Sequence, residues 1–177
     1  MSGNLVSVTD PTGEKTTYTY DLAGRVLTMV EPRGNVAGAI AANFTTTYTY
    51  DAAGHVLTVK DALARITTNT YDDAGNLSTS KAPDLGVTTY GYNAANELLS
   101  TTAPDGGVSS NEYDARSLRK WTIDPTGGKA TFFYDGTGRI TSMVEPRGNT
   151  AGANPGLFTT TFEYDPIGRR TNHRPTR

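Results

Sequence analysis

Aromatic residues recur two positions apart in short polar runs: Tyr18 and Tyr20, Tyr48 and Tyr50, Phe132 and Tyr134, and Phe162 and Tyr164. In an extended strand such pairs share one side, and the intervening residues, threonines in the first two runs, take the other. Six positions after the second aromatic an apolar residue often stands: Val26, Val56, Leu77, Leu98 and Ile140. Clusters of Gly, Pro, Asp and Asn bound every run. The pattern predicts pairs of strands of about five to seven residues joined by tight turns, a repeating antiparallel hairpin.

The second aromatic opens a turn motif that occurs seven times: YDLAG from Tyr20, YDAAG from Tyr50, YDDAG from Tyr71, YNAAN from Tyr92, YDARS from Tyr113, YDGTG from Tyr134 and YDPIG from Tyr164. These heads lie 30, 21, 21, 21, 21 and 30 residues apart. Regular spacing marks an array in which each unit is completed by its neighbours. In the unit after Tyr113 the outgoing strand is RKWTI at Arg119 to Ile123, the second turn is DPTGG, and the returning strand is KATFFY.

The turns have a mechanism. Asp10-Pro11-Thr12-Gly13 and Asp124-Pro125-Thr126-Gly127 place a side-chain acceptor first, a fixed φ second and Gly fourth; Ala103-Pro104-Asp105-Gly106 keeps Pro and Gly without the leading Asp. In the heads, Asp is expected to bond nearby backbone N–H groups, and Gly24, Gly54, Gly75, Gly138 and Gly168 to relieve left-handed strain. Equivalent strands of successive hairpins lie about 10 Å apart, so the aromatic and aliphatic residues should form rows across a continuous sheet. Asn69 and Asn111 interrupt the aromatic row, and Arg119 the aliphatic one, with Leu118 and Trp121 beside it. Right-handed twist makes such a sheet coil into a curved, partly hydrated wall.

Two insertions lengthen the 30-residue units, EPRGNVAGAIAANF at Glu31 to Phe44 and EPRGNTAGANPGLF at Glu145 to Phe158. Both read as surface loops on one rim, either spacers or binding features, with Arg33 and Arg147 their notable charges. Gly3-Asn4-Leu5 matches Gly75-Asn76-Leu77, which sets the start inside a unit whose head is missing. The end, GRRTNHRPTR, supplies no complete returning strand, so an internal segment of a longer array is expected.

Composition narrows the chemistry. Thr, Gly, Ser and Tyr dominate a chain of 177 residues with 36% hydrophobic and 19% charged positions, a mixture suited to strands and turns. A net charge of -2 without a basic stripe argues against nucleic acid as a partner. With no cysteine there is neither disulfide nor thiol nucleophile, no apolar run reaches the ~20 residues of a spanning helix, and MSGNLVSVTDP carries no signal peptide. His55 and His173, 118 positions apart, read as solvated turn residues, and the aspartates repeat in separate turns where no acid and base pair can gather. No catalytic, cofactor-binding or metal residue is assigned, and no enzyme activity is expected.

Repeats such as YDAAGHVLTVKD and YDGTGRITSMVEPRG resemble those of the YD-repeat, or Rhs-repeat, family, and the resemblance covers nearly all of residues 1–177. It implies an all-β array of antiparallel hairpins forming a curved or spiral sheet, a segment of a hollow shell around a C-terminal toxin, with tyrosines such as Tyr50 and Tyr134 knitting successive turns. The implied partners are the remaining repeats and an effector domain of a larger, secreted or cell-surface parent. The family's closing core and a separate toxin domain are not recognisable, so encapsulation would belong to the parent. An adhesive or glycan-binding module, and self-association through strand edges, stand as the alternatives.

Overall fold

The computed structural model describes residues 3–175, which form fifteen strands connected in chain order. By internal contacts the chain divides into two compact units, Met1–Thr88 and Thr89–Arg177, with the division inside a strand. The first unit holds β1 (Ser7–Thr9), β2 (Lys15–Tyr20), β3 (Val26–Val30), β4 (Thr45–Tyr50), β5 (Val56–Lys60), β6 (Ile66–Tyr71) and β7 (Leu77–Lys81). β8 (Val87–Tyr92) contains the division. The second unit continues with β9 (Leu98–Thr102), β10 (Val108–Tyr113), β11 (Arg119–Ile123), β12 (Lys129–Tyr134), β13 (Ile140–Val144), β14 (Thr159–Tyr164) and β15 (Arg170–Pro175).

Within each unit the sheet is antiparallel and open, each strand pairing with the next in sequence. Seven strands, from β2 to β14, end on a head tyrosine. The strand after each begins six positions later, at Val26, Val56, Leu77, Leu98, Arg119 or Ile140, or at Arg170 after the last. The predicted strands RKWTI and KATFFY are β11 and β12 residue for residue. His173 lies in β15 opposite Phe162, so it is a strand residue and not the turn residue expected from sequence: the β14 ladder extends past it to Pro175.

Each head turn is built from the same bonds. Asp21 N–H donates to the Arg25 carbonyl and Gly24 N–H to the Asp21 carbonyl, a type I turn followed by a left-handed residue. That residue is a glycine in five heads, with Gly24 at φ 80 and Gly54 at φ 98. The two heads that lack it force Asn96 and Ser117 into the same region, both at φ 61. Left-handed backbone costs a side chain about 1 kcal/mol, partly offset by the greater freedom of Gly in the unfolded chain. Ser117→Gly should therefore raise stability by about 0.5 kcal/mol, read as a later denaturation midpoint at constant slope.

A β-bulge follows every described head. Thr19 pairs with Thr28 and Tyr20 with Val26, leaving Leu27 as the extra residue; the same shift occurs at Tyr50, Tyr71, Tyr92, Tyr113, Tyr134 and Tyr164. Strict alternation from Val26 would group it with Thr28 and Val30. The bulge instead sets Val26 and Met29 on the tyrosine side, opposite Tyr20 and Tyr18. On the other face threonines meet in hydroxyl pairs, Thr19 with Thr28 and Thr49 with Thr58, both at 2.6 Å.

Burial is thin and local. Among the described residues Val144 and Thr160 are 7% and 6% exposed, and Gly34 and Gly148 are the other buried positions. Three of the four lie in or beside the second insertion and the fourth lies in the first. Both insertions are exposed over most of their length, with Gly34 or Gly148 buried within. Each closes on itself, Glu31 N–H to Phe44 carbonyl and Glu145 N–H to Phe158 carbonyl, and each contains two 3-10 turns: Pro32–Asn35 and Ala41–Phe44, then Pro146–Asn149 and Pro155–Phe158.

Candidate functional site

The ladder between successive hairpins stops short of the head rim. β3 and β4 pair from Val30 and Thr45 to Thr28 and Thr47 and no further, which leaves the Val26 carbonyl without a strand partner on that side. An unmet backbone acceptor is costly where water is partly excluded. The Tyr50 hydroxyl fills the gap, donating to the Val26 carbonyl at 2.7 Å. The same bond is made by Tyr20 to Leu5, Tyr71 to Val56, Tyr113 to Leu98, Tyr134 to Arg119 and Tyr164 to Ile140, at 2.6 to 3.2 Å. In five cases the acceptor is the residue six positions after the preceding head, and for Tyr20 it is Leu5, the counterpart of Leu77 in the Gly-Asn-Leu run.

The apparent gaps in the aromatic row serve the same carbonyls. Asn69 Nδ2 donates to the Val56 carbonyl at 3.1 Å beside the Tyr71 hydroxyl, and Asn111 Nδ2 to the Leu98 carbonyl at 3.1 Å beside Tyr113. Arg119, which breaks the aliphatic row, keeps its role through its own backbone carbonyl and lays its guanidinium over the Phe132 ring at 5.2 Å.

A second contact comes from the residue just after the turn, which the sequence shows only as a variable position. Arg25 bonds Asp21 Oδ2 through Nε at 2.7 Å, the next head's Asp51 carbonyl through Nη1 at 2.8 Å, and lies 4.8 Å from the Tyr50 ring centroid. Arg139 stands likewise over Tyr164 at 4.8 Å. His55 takes the same place, its Nδ1 2.8 Å from Asp51 Oδ2 and its ring stacked on Tyr71 at 4.6 Å. A Cβ at Gly75 would come within 3.0 Å of His55 Nε2, so the glycine also makes room for this ring. His55 is thus a half-buried packing residue, not the solvated turn residue expected from sequence. Where the head carries Asn93, donor and acceptor exchange places: Asn93 Nδ2 donates to Glu97 Oε2 at 2.6 Å.

Tyr48, Tyr50, Tyr90 and Tyr134, which would have to be exposed to stack on a glycan, are all half-buried. Desolvation pushes the pKa of Tyr50 and Tyr134 above the ordinary tyrosine value. The head aspartates are fully committed to their own turns. Asp21 accepts the backbone N–H groups of Ala23 and Arg25 on Oδ1, and Asp135 those of Thr137 and Arg139. The Arg25 backbone N–H, followed by its guanidinium, holds Asp21 below the usual carboxylate range; the Arg139 backbone N–H leads the same effect at Asp135. A folded-state value lower than the unfolded one stabilises the fold above the ordinary value of 3.8, and that contribution is lost as pH falls from there through the lower folded-state value. The melting temperature should therefore hold from pH 7 to about 5 and drop steeply below about pH 4, and Asp135→Asn should flatten that drop. Among the described residues no three His, Cys, Asp or Glu side chains gather into a metal site, and no helix is long and apolar enough to cross a membrane.

Each insertion is anchored by one asparagine. Asn35 Nδ2 donates to the carbonyls of Lys15, Val30 and Glu31, and its Oδ1 accepts from Thr17 Oγ1. Asn149 repeats all four bonds with Lys129, Val144, Glu145 and Thr131. This anchor was not legible as such, although EPRGN appears twice in the sequence.

A tyrosine-aspartate head whose hydroxyl reaches the preceding unit is the repeating element of the molecule, and a family model for the RHS repeat matches residues 1–36, 71–108 and 113–150, more than half of the chain. The chain belongs to the RHS repeat family. No curated protein sequence is significantly similar to it. Solved structures share its fold. A crystal structure of TcdB2-TccC3 without its hypervariable C-terminal region matches 90% of this chain with a TM-score of 0.65 and 21% identity. The Tc holotoxin pore of Photorhabdus luminescens matches 90% with a TM-score of 0.65 and 19% identity, and a second TcdB2-TccC3 crystal structure matches 91% with a TM-score of 0.53 and 19% identity. This RHS chain spans only 9%, 9% and 12% of those chains.

Proposed function

We propose that the chain is a wall segment of a larger, secreted or surface-exposed RHS protein, a structural scaffold that helps to enclose or present an effector domain carried elsewhere in the parent. The observation that carries this reading is the hydroxyl-to-carbonyl bond that each of six head tyrosines makes to the preceding hairpin. The same rings are half-buried and their hydroxyls join repeats, which disfavours their use as a glycan platform. The fold shared with TcdB2-TccC3 supports it, since those chains are far longer and this one covers about a tenth of them. The partners on this reading are the neighbouring repeats and the effector domain.

The test is limited proteolysis of the full-length parent. A C-terminal domain should resist protease in the unaltered parent and become cleavable when Tyr50 and Tyr164 are both replaced by Ala. Equal cleavage of the two proteins, or glycan binding that depends on the head tyrosines, would overturn the proposal.

A further inference from the structure

Arginines in this chain are spent in a consistent way. Arg25, Arg65, Arg116, Arg139 and Arg169 pair with the aspartates of their own turns, and Arg119 and Arg170 lie over phenylalanine rings. Among the arginines whose side chains the structure describes, Arg33 and Arg147 are the two whose guanidinium groups have no such partner. They occupy the same place in the two insertions, exposed on a 3-10 turn that Asn35 or Asn149 fixes with four hydrogen bonds and that rests on a buried glycine.

Each arginine lines a cleft between its own turn and the neighbouring DPTG turn. The first cleft, about 250 Å³, is lined by Thr12, Glu14, Lys15, Pro32 and Arg33, and the second, about 320 Å³, by Thr126, Gly128, Lys129, Pro146 and Arg147. The carboxylates of Asp10 and Asp124 at the head of those DPTG turns are held by their own backbone N–H groups, and Glu31 and Glu145 do not line the clefts. A guanidinium without a protein partner, carried on an anchored turn beside a lysine, is suited to bidentate capture of a carboxylate. No aromatic side chain lines either cleft, so the stacking platform that a sugar ring favours is missing, and the volume suits a single acidic side chain. We propose that the two clefts are equivalent docking sites for the Asp or Glu side chains of an acidic peptide segment, with Arg33 and Arg147 as the carboxylate ligands. Glu14 in the first cleft opposes an anion where Gly128 in the second does not, which makes the second site the tighter.

Titration of the whole chain with fluorescein-labelled hexaglutamate, against hexaglutamine and a heparin fragment, tests this. Two sites are expected for hexaglutamate and none for hexaglutamine. R147A should remove the tighter site, R33A the weaker, and the pair should weaken binding at least tenfold at an unchanged melting temperature, since both side chains are exposed. The charge-preserving pair R33K and R147K should still lose several-fold, and E14G should tighten the first site toward the second. Unchanged hexaglutamate affinity in the double Ala variant, equal binding of hexaglutamine, or binding of heparin alone would overturn the proposal.

Discussion

Tyr50→Ala should cost about 3 kcal/mol of stability, through loss of a large part-buried ring and of its polar contacts. The ring packs opposite Val56, lies under the Arg25 guanidinium, and its hydroxyl closes the splayed end of the β3–β4 ladder. Those contributions separate by substitution. Tyr50→Phe keeps the ring and strands the Val26 carbonyl, at a cost of about 1 kcal/mol. Arg25→Ala removes the guanidinium from the ring and from the Asp51 carbonyl, at about 1 kcal/mol as well. Denaturant midpoints of the three variants give the check. Equal midpoints for Tyr50→Phe and the parent chain would remove the hydroxyl from the account.

Gly148→Val should be comparably severe, about 3 kcal/mol, for the opposite reason. The insertion folds so tightly on β13 that even a Cβ at this glycine would stand 2.7 Å from Val144 Cγ1 and 2.9 Å from Phe158 Cβ. Val144 is among the few buried side chains, so it has little room to yield. Gly34 is packed in the same way against Val30 and Phe44, at 2.6 and 2.9 Å, and Gly34→Val should behave alike. Gly136→Ala is the control. Nothing lies within 4 Å of its Cβ position, and its midpoint should stay within about 0.5 kcal/mol of the parent.

Both expectations depend on features that were unequally legible in the sequence. The strands and turns could be read because each depends on its own residues: Thr and Tyr alternate with period two, and Asp with Gly sets the turn. Asp10 illustrates this, its Oδ1 accepting the backbone N–H groups of Thr12 and Glu14 as the DPTG motif implies. The bulge could not be read, because an extra residue changes strand parity without any distinctive side chain. Only the register shows that Met29, three positions from Val26, returns to the tyrosine side. The variable position after each turn was also opaque. Two arginines, Arg25 and Arg139, and one histidine, His55, perform one task, lying over the tyrosine of the following head, and that equivalence exists only once the hairpins are adjacent.

The insertions show the same limit from another side. Their Gly, Ala and Asn content suggests surface loops, and composition carries no sign that Asn35 and Asn149 each satisfy three backbone carbonyls. The two EPRGN copies hinted at it through their identity. Sequence identity across 114 positions becomes physically meaningful when both copies prove to make the same four bonds. For the candidate clefts, Arg33 and Arg147 stood out as charges in otherwise small-residue segments, while the cleft walls come from the DPTG turns about twenty residues earlier.

The central claim is that tyrosine hydroxyls hold neighbouring hairpins together where the backbone ladder ends. Residue-resolved amide hydrogen exchange in Tyr50→Phe tests it most directly. Protection should fall at the head rim on both sides of the missing bond, over Val26 to Thr28 and Thr47 to Tyr50, while the far end of the same ladder, at Val30 and Thr45, keeps its protection. Unchanged exchange at the head rim would contradict the claim.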